Sequence, residues 1–141
     1  MIWRGITLIS CGIVGGWLGF MASDREPPVK HRANEIINSP KPGEVLRIRH
    51  LVWRDRSCKT TVNRLVFDKD NDRFIVPDLE FSEGVLPLGA DTFVAPIPIS
   101  SEADPGPATY RVVRWYRCNL THWIWPIKDG PYDHPFTIAP R

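Results

Sequence analysis

The stretch "PGPATYRVVRWYRCN", residues 105–119, decides how this chain is read. Pro105, Gly106 and Pro107 form a turn, because proline fixes φ and removes a ladder donor. The residues after this turn alternate: Tyr110, Val112, Tyr116 and Cys118 share one parity, and Arg111, Trp115 and Arg117 share the other. Successive side chains of a strand point to opposite faces, so the first set faces inward and the second outward. Arg114 has the inward parity but breaks the apolar pattern, which calls for a bulge or a place at a rim. The stretch therefore reads as a tight corner feeding a long strand that ends at a cysteine.

Working outward, the same grammar repeats. "VLRIRHLVW" (45–53) alternates Leu46 and Ile48 with Arg47 and Arg49, and "CKTTVNRLVF" (58–67) is β-branched and ends at the turn "DKDND" (68–72). "RFIVPDLEF" (73–81) carries Pro77, and "DTFVAPIPI" (91–99) carries Pro96 and Pro98; prolines confine such strands to sheet edges. "THWIWPI" (121–127) and "PFTI" (135–138) complete about seven short strands with turns between them, the pattern of an all-β sandwich. In immunoglobulin-type sandwiches the sixth strand carries Tyr-x-Cys, and its cysteine bridges the two sheets. Tyr116 to Cys118 has that form, and Cys58, at the start of the second long strand, is the natural partner. Such a bridge stabilises by about 4 kcal/mol in the chain-entropy account. No Trp follows Cys58 at the antibody-type spacing, so the expected fold, over residues 45–141, is immunoglobulin-like in the broad sense.

Residues 5–22 carry no charge, and 18 residues of helix reach roughly 27 Å, near the ~30 Å hydrocarbon thickness. Residues 1–23 are accordingly expected to be one transmembrane helix, an uncleaved signal anchor. A cleaved signal is the second reading, weakened because Phe20 occupies the −3 position of a cut after Ala22. A lipoprotein signal at "LISC" (8–11) is the third, weakened because the apolar run continues past Cys11. Gly12 with Gly16, and Gly15 with Gly19, form small-xxx-small pairs that allow close helix packing, hence a possible homodimer through the anchor. Arginines on both flanks leave the positive-inside rule undecided. Two cysteines in a small β domain favour an oxidising compartment, which places the domain in the periplasm, with the N terminus inside the inner membrane. Cys11 stays unpaired. Residues 24–44, with four prolines and many charges, read as a linker and first strand.

The motifs "DREPPV" (24–29), "WRDRSC" (53–58), "DLEF" (78–81), "GADTFVAPIPI" (89–99), "PGPATYRVVRWYRCN" and "WPI" (125–127) resemble a group of small membrane-anchored immunoglobulin-like proteins of bacteria and their phages. The resemblance implies location and fold. It implies no activity and carries over no functional residue.

Signatures of chemistry are sparse. His31, His50, His122 and His134 have no metal-ligand spacing, there is no C-x-x-C, no G-x-S-x-G and no P-loop. Beside proline-rich turns, His122 and His134 read as surface residues. Asp68, Asp70 and Asp72 alternate like a calcium loop but lack its Gly and its bidentate Glu. No metal and no cofactor is expected. The 18 Lys+Arg against 16 Asp+Glu give no sustained basic patch of the nucleic-acid-binding kind. Instead a basic segment between Arg47 and Arg64 precedes an acidic one between Asp78 and Asp104. Exposed Trp beside Arg is the composition of a protein-binding surface, although Trp also packs cores. Arg47, Arg49, Trp53, Arg111, Trp115 and Arg117 are the candidate contacts. The expected function is a non-enzymatic, membrane-anchored extracytoplasmic module that binds a protein or glycan. The alternative is a phage-type envelope effector, a lysis regulator or superinfection-exclusion factor, whose glycine-rich anchor leaves the bilayer.

Overall fold

Strict alternation of buried and exposed residues along Val45–Arg54 and Gly106–Arg117 gives each segment one inward face, and the two faces close on each other. The computed structural model describes the backbone of residues 2–141 and the side chains of residues 12–141. In chain order it contains α1 (Ile2–Ser23), β1 (Val29–Ile36), β2 (Val45–Arg54), β3 (Lys59–Phe67), β4 (Arg73–Phe81), β5 (Gly89–Pro98), β6 (Gly106–Arg117), α2 (Thr121–Ile124) and β7 (Ile127–Ile138). One sheet has the order β1-β2-β5 and the other β4-β3-β6-β7, with every pairing antiparallel. Seven strands in two facing antiparallel sheets form a β-sandwich.

The proline readings hold. Pro77 lies in β4 and Pro96 and Pro98 lie in β5, and both strands are edges. The turn at 68–72 closes the β3–β4 hairpin with Asn71 at φ 65°, and Gly106 opens β6 at φ 138°. Leu46, Ile48, Val66, Ile97, Tyr110, Val112 and Ile138, all nearly inaccessible, form the main core between the sheets.

Three expectations are corrected. Residues 24–44 are not a separate linker: β1 lies within them, pairs with β2, and Pro28 and Pro40 are fully buried. That extra strand shifts the count, so Cys58 precedes the third strand rather than the second. The Cys58–Cys118 disulfide is present, with Cα atoms 4.6 Å apart, but it does not join the sheets. Lys59 pairs with Arg117, so the two cysteines sit one step beyond the last pair of the neighbouring strands β3 and β6. The bridge staples one end of the four-stranded sheet. Arg114 keeps the inward parity and is 7% exposed. A bulge does occur beside it, where Val113 faces both Gly130 and Pro131 and the register resumes at Arg114 opposite Asp129. Gly130 is required there: its φ is 103°, and an added Cβ would stand 2.9 Å from the Val112 carbonyl oxygen.

α1 covers the expected anchor, but the side chains of residues 1–11, Cys11 among them, lie outside the described residues. Among the described residues no helix is long and apolar enough to cross a membrane.

Candidate functional site

The six candidate contact residues are all on outward faces, but not on one face. Arg47, Arg49 and Trp53 alternate along the outside of β2, whereas Arg111, Trp115 and Arg117 alternate along the outside of β6 in the opposite sheet. On the four-stranded face these residues are engaged by neighbours. Arg111 grips Asp133 with two bonds, of 2.7 and 2.8 Å, and holds that carboxyl below its ordinary range. The Trp115 indole N–H donates to Asn63 Oδ1 at 2.7 Å, and Arg117 donates to Thr61 Oγ1 at 3.3 Å. On the three-stranded face Arg49 pairs with Glu35 at 2.6 Å and Trp53 Nε1 donates to Asp55 Oδ1 at 2.7 Å. Between them lie Leu51, Val45 and, on β5, Val94, each at least 40% exposed, with Pro96 opposite Arg47. This face combines apolar area with cationic groups.

The disulfide end of the sandwich receives α1. Asn119 Nδ2 donates to the Met21 carbonyl at 3.2 Å, and His122 Nε2 donates to the Asp24 carbonyl at 2.8 Å. His122 Nδ1 accepts the Cys118 N–H at 3.3 Å, so the ring is fully buried with both nitrogens used. Sequence reading placed His122 on the surface; the fold seals it between the helix end and the bridge. Arg25 donates to the carbonyls of Trp125 and Pro126 at 2.8 and 3.0 Å, with its guanidinium 4.2 Å from the Trp125 ring centre. Arg56 pairs with Asp24 and donates to the Glu26 carbonyl at 2.7 Å. Next to this junction, Leu120, Trp123 and Trp125 are more than half exposed and Ile124 is 91% exposed. An apolar cluster of this kind is uncommon on a water-facing surface.

The third feature lies inside the sandwich. His31 on β1, His50 on β2 and His134 on β7 converge, with ring centres 5.8 Å apart for His31 and His50 and 6.1 Å for His50 and His134. His134 also stacks on Tyr110 at 6.0 Å, and His50 Nδ1 donates to Asn34 Oδ1 at 2.6 Å. Burial, then the nearby Arg114 charge, pushes His31 down to about 3 and His50 down to about 4, and lowers His134 as well. Arg114 stands 3.5 Å from Asp129, whose other oxygen takes the Tyr132 hydroxyl at 2.6 Å. Arg54 pairs with Asp91. Buried Arg64 donates to the carbonyl of Pro77, through Nε at 2.9 Å, and to that of Pro96 at 3.3 Å. The inward parity of His50 with Leu46, Ile48 and Val52 was a usable signal for this cluster. The inward side of His134 depended on the β7 bulge, which the sequence did not reveal.

The acidic turn is a structural device. Asp68 is buried, which favours its neutral form, but backbone N–H bonds from Asp104, Asp72 and Asp70 outweigh this and lower its pKa. Among the described residues no group of acidic, His or Cys side chains has a metal-holding arrangement. No protein-family model and no curated protein matches the chain.

Proposed function

We propose that this chain is a membrane-anchored, extracytoplasmic interaction module of immunoglobulin-like type, without catalytic activity. α1 anchors it in the inner membrane, and the sandwich stands on the periplasmic side and offers the outer face of its three-stranded sheet to a protein or glycan. The observation that carries the reading is the exposed Leu120, Trp123, Ile124 and Trp125 cluster at the point where α1 is bonded to the sandwich. Trp rings favour the headgroup level of a bilayer, so this foot suits a membrane surface at the end of a membrane helix. The described part of α1 supports it: Ile13, Val14, Trp17 and Phe20 are more than half exposed, and a Cβ added at Gly12, Gly15, Gly16 or Gly19 would meet nothing within 4 Å. The helix stands clear of the sandwich, open to lipid or to a second copy. A disulfide fits an oxidising compartment.

Partner binding is assigned to the β1-β2-β5 face, where Arg47 and Arg49 flank exposed Leu51, Val45 and Val94. Alkaline carbonate extraction of membranes holding the full chain tests the anchor: retention in the pellet is expected, and complete release refutes it. Release only after depolarisation would favour the envelope effector with a mobile anchor. Photo-crosslinking groups at position 51 and position 111 test the face. Adducts from 51 alone are expected; adducts from 111 alone would move the site to the other sheet.

A further inference from the structure

A sandwich core normally fills the roughly 10 Å between its sheets with interdigitated side chains and leaves few voids larger than a water. Here a half-open space of about 280 Å³ lies between the sheets, next to the edge strands β4 and β5. At the ~30 Å³ that a liquid water occupies, it accommodates on the order of nine heavy atoms. Most of its wall is apolar, with Val62, Phe81, Leu86, Phe93 and Ala95 among the lining residues.

Two polar atoms on the β6 wall have no partner: Arg114 Nη1 and Tyr116 Oη. Both residues line the space, and they are only 7% and 1% exposed. They lie two residues apart on one face of a strand, about 7 Å between Cα atoms, close enough to converge on one small group. Asp129 contributes charge to Arg114 at 3.5 Å without accepting a hydrogen bond from Nη1. An orphaned donor of this depth is costly and calls for an acceptor.

The sign of that acceptor follows from the charges around the space. Arg54 has Asp91 and Arg114 has Asp129, but among the described residues Arg64 has only the Pro77 and Pro96 carbonyls. The interior therefore carries one uncompensated cation, and the depressed His31 and His50 respond to the same positive field. A cationic ligand is excluded by this field. A planar carboxylate suits a guanidinium edge and a phenol donor, and its single charge matches the single excess cation. We propose that the space between the sheets binds a small carboxylate with an apolar body, its carboxylate held by Arg114 and Tyr116 and its body against Val62, Phe81 and Phe93. The site is independent of the membrane reading and of the outer-face partner.

The test uses the full chain in lipid nanodiscs and a matched pair of probes, 4-fluorophenylacetate and its neutral amide, followed by ¹⁹F NMR. Saturable binding of the acid is expected, with the amide weaker by on the order of tenfold to a hundredfold, the range of a charge-assisted hydrogen bond. Arg114→Met is expected to abolish the preference for acid over amide. Ala95→Phe, which fills the space, is expected to abolish binding of both probes. Where Arg114→Met does not fold, Tyr116→Phe removes one oxygen from the same wall and is expected to weaken the acid several-fold while leaving the amide unchanged. Equal affinity for acid and amide, the absence of saturable binding, or undiminished binding by a folded Ala95→Phe variant would overturn the assignment.

Discussion

Acid is expected to destabilise this sandwich through its interior histidines, in a pH window that its carboxylates do not reach. His50 has an ordinary value of 6.5 in the unfolded chain and is held at about 4 in the fold, and His31 falls to about 3. Both values are depressed in the fold, so the stability is present above 6.5 and is lost as the pH falls from there through the folded values. At pH 5 nearly all unfolded chains carry the His50 proton and few folded ones do, which costs about 2 kcal/mol relative to pH 7.5. His31 is discounted for its partial exposure, and the pair then costs about 3 kcal/mol, a large part of a typical 5–15 kcal/mol domain stability. His134 shifts in the same direction, with Asp133 partly offsetting burial and Arg114. Asp55, Asp68 and Asp133 have lowered values, and their contribution is lost only below the ordinary carboxylate value of 3.8. Urea unfolding of the full chain in mild detergent, followed by Trp fluorescence at pH 7.5 and 5.0, measures the loss. His50→Gln keeps a donor toward Asn34 and is expected to remove about 2 kcal/mol of it. Unchanged stability at pH 5, or a His50 Cε1–H NMR signal that titrates near 6.5 in the folded protein, would refute the reasoning.

Three other outcomes rest on the geometry. Replacing both Cys58 and Cys118 by Ser is expected to lower unfolding stability by about 4 kcal/mol, the loop-closure entropy of a 60-residue separation, as measured by urea titration. Gly130→Ala is expected to cost about 1–3 kcal/mol in the same assay, because φ is 103° and the Cβ meets the Val112 carbonyl at 2.9 Å. Ile124→Ser with Trp125→Ser is expected to leave urea stability within about 0.5 kcal/mol, since both side chains are mostly exposed. The same double variant is expected to lose Trp quenching by brominated lipids.

What was legible in the sequence was local. The parity of β2 and β6 named their inward faces, the prolines at 77, 96 and 98 named two edges, and the acidic turn named a hairpin. Each of these depends on a single residue's backbone constraint or on the period of two, both written in the order of residues. Even the cysteine pairing was accessible, because only two cysteines lie outside residues 1–23.

Sheet membership was not local, and it changed the meaning of those readings. β1 hides in a proline-rich, charged stretch, and counting it turns the bridge from a link between sheets into a staple within one. Strand partners are chosen by burial of whole faces, so the six outward Arg and Trp residues were identifiable as exposed but not as belonging to opposite sides. Arg114 was a misfit in the sequence. Only the bulge opposite Val113, which sets Asp129 beside it, made an inward arginine tolerable. The histidine cluster and the space next to it exist because β1, β2, β6 and β7 bring residues 31, 50, 114 and 134 within reach of one another. Desolvation and unpaired charge act at that assembled interior, and they arise only when the two sheets close.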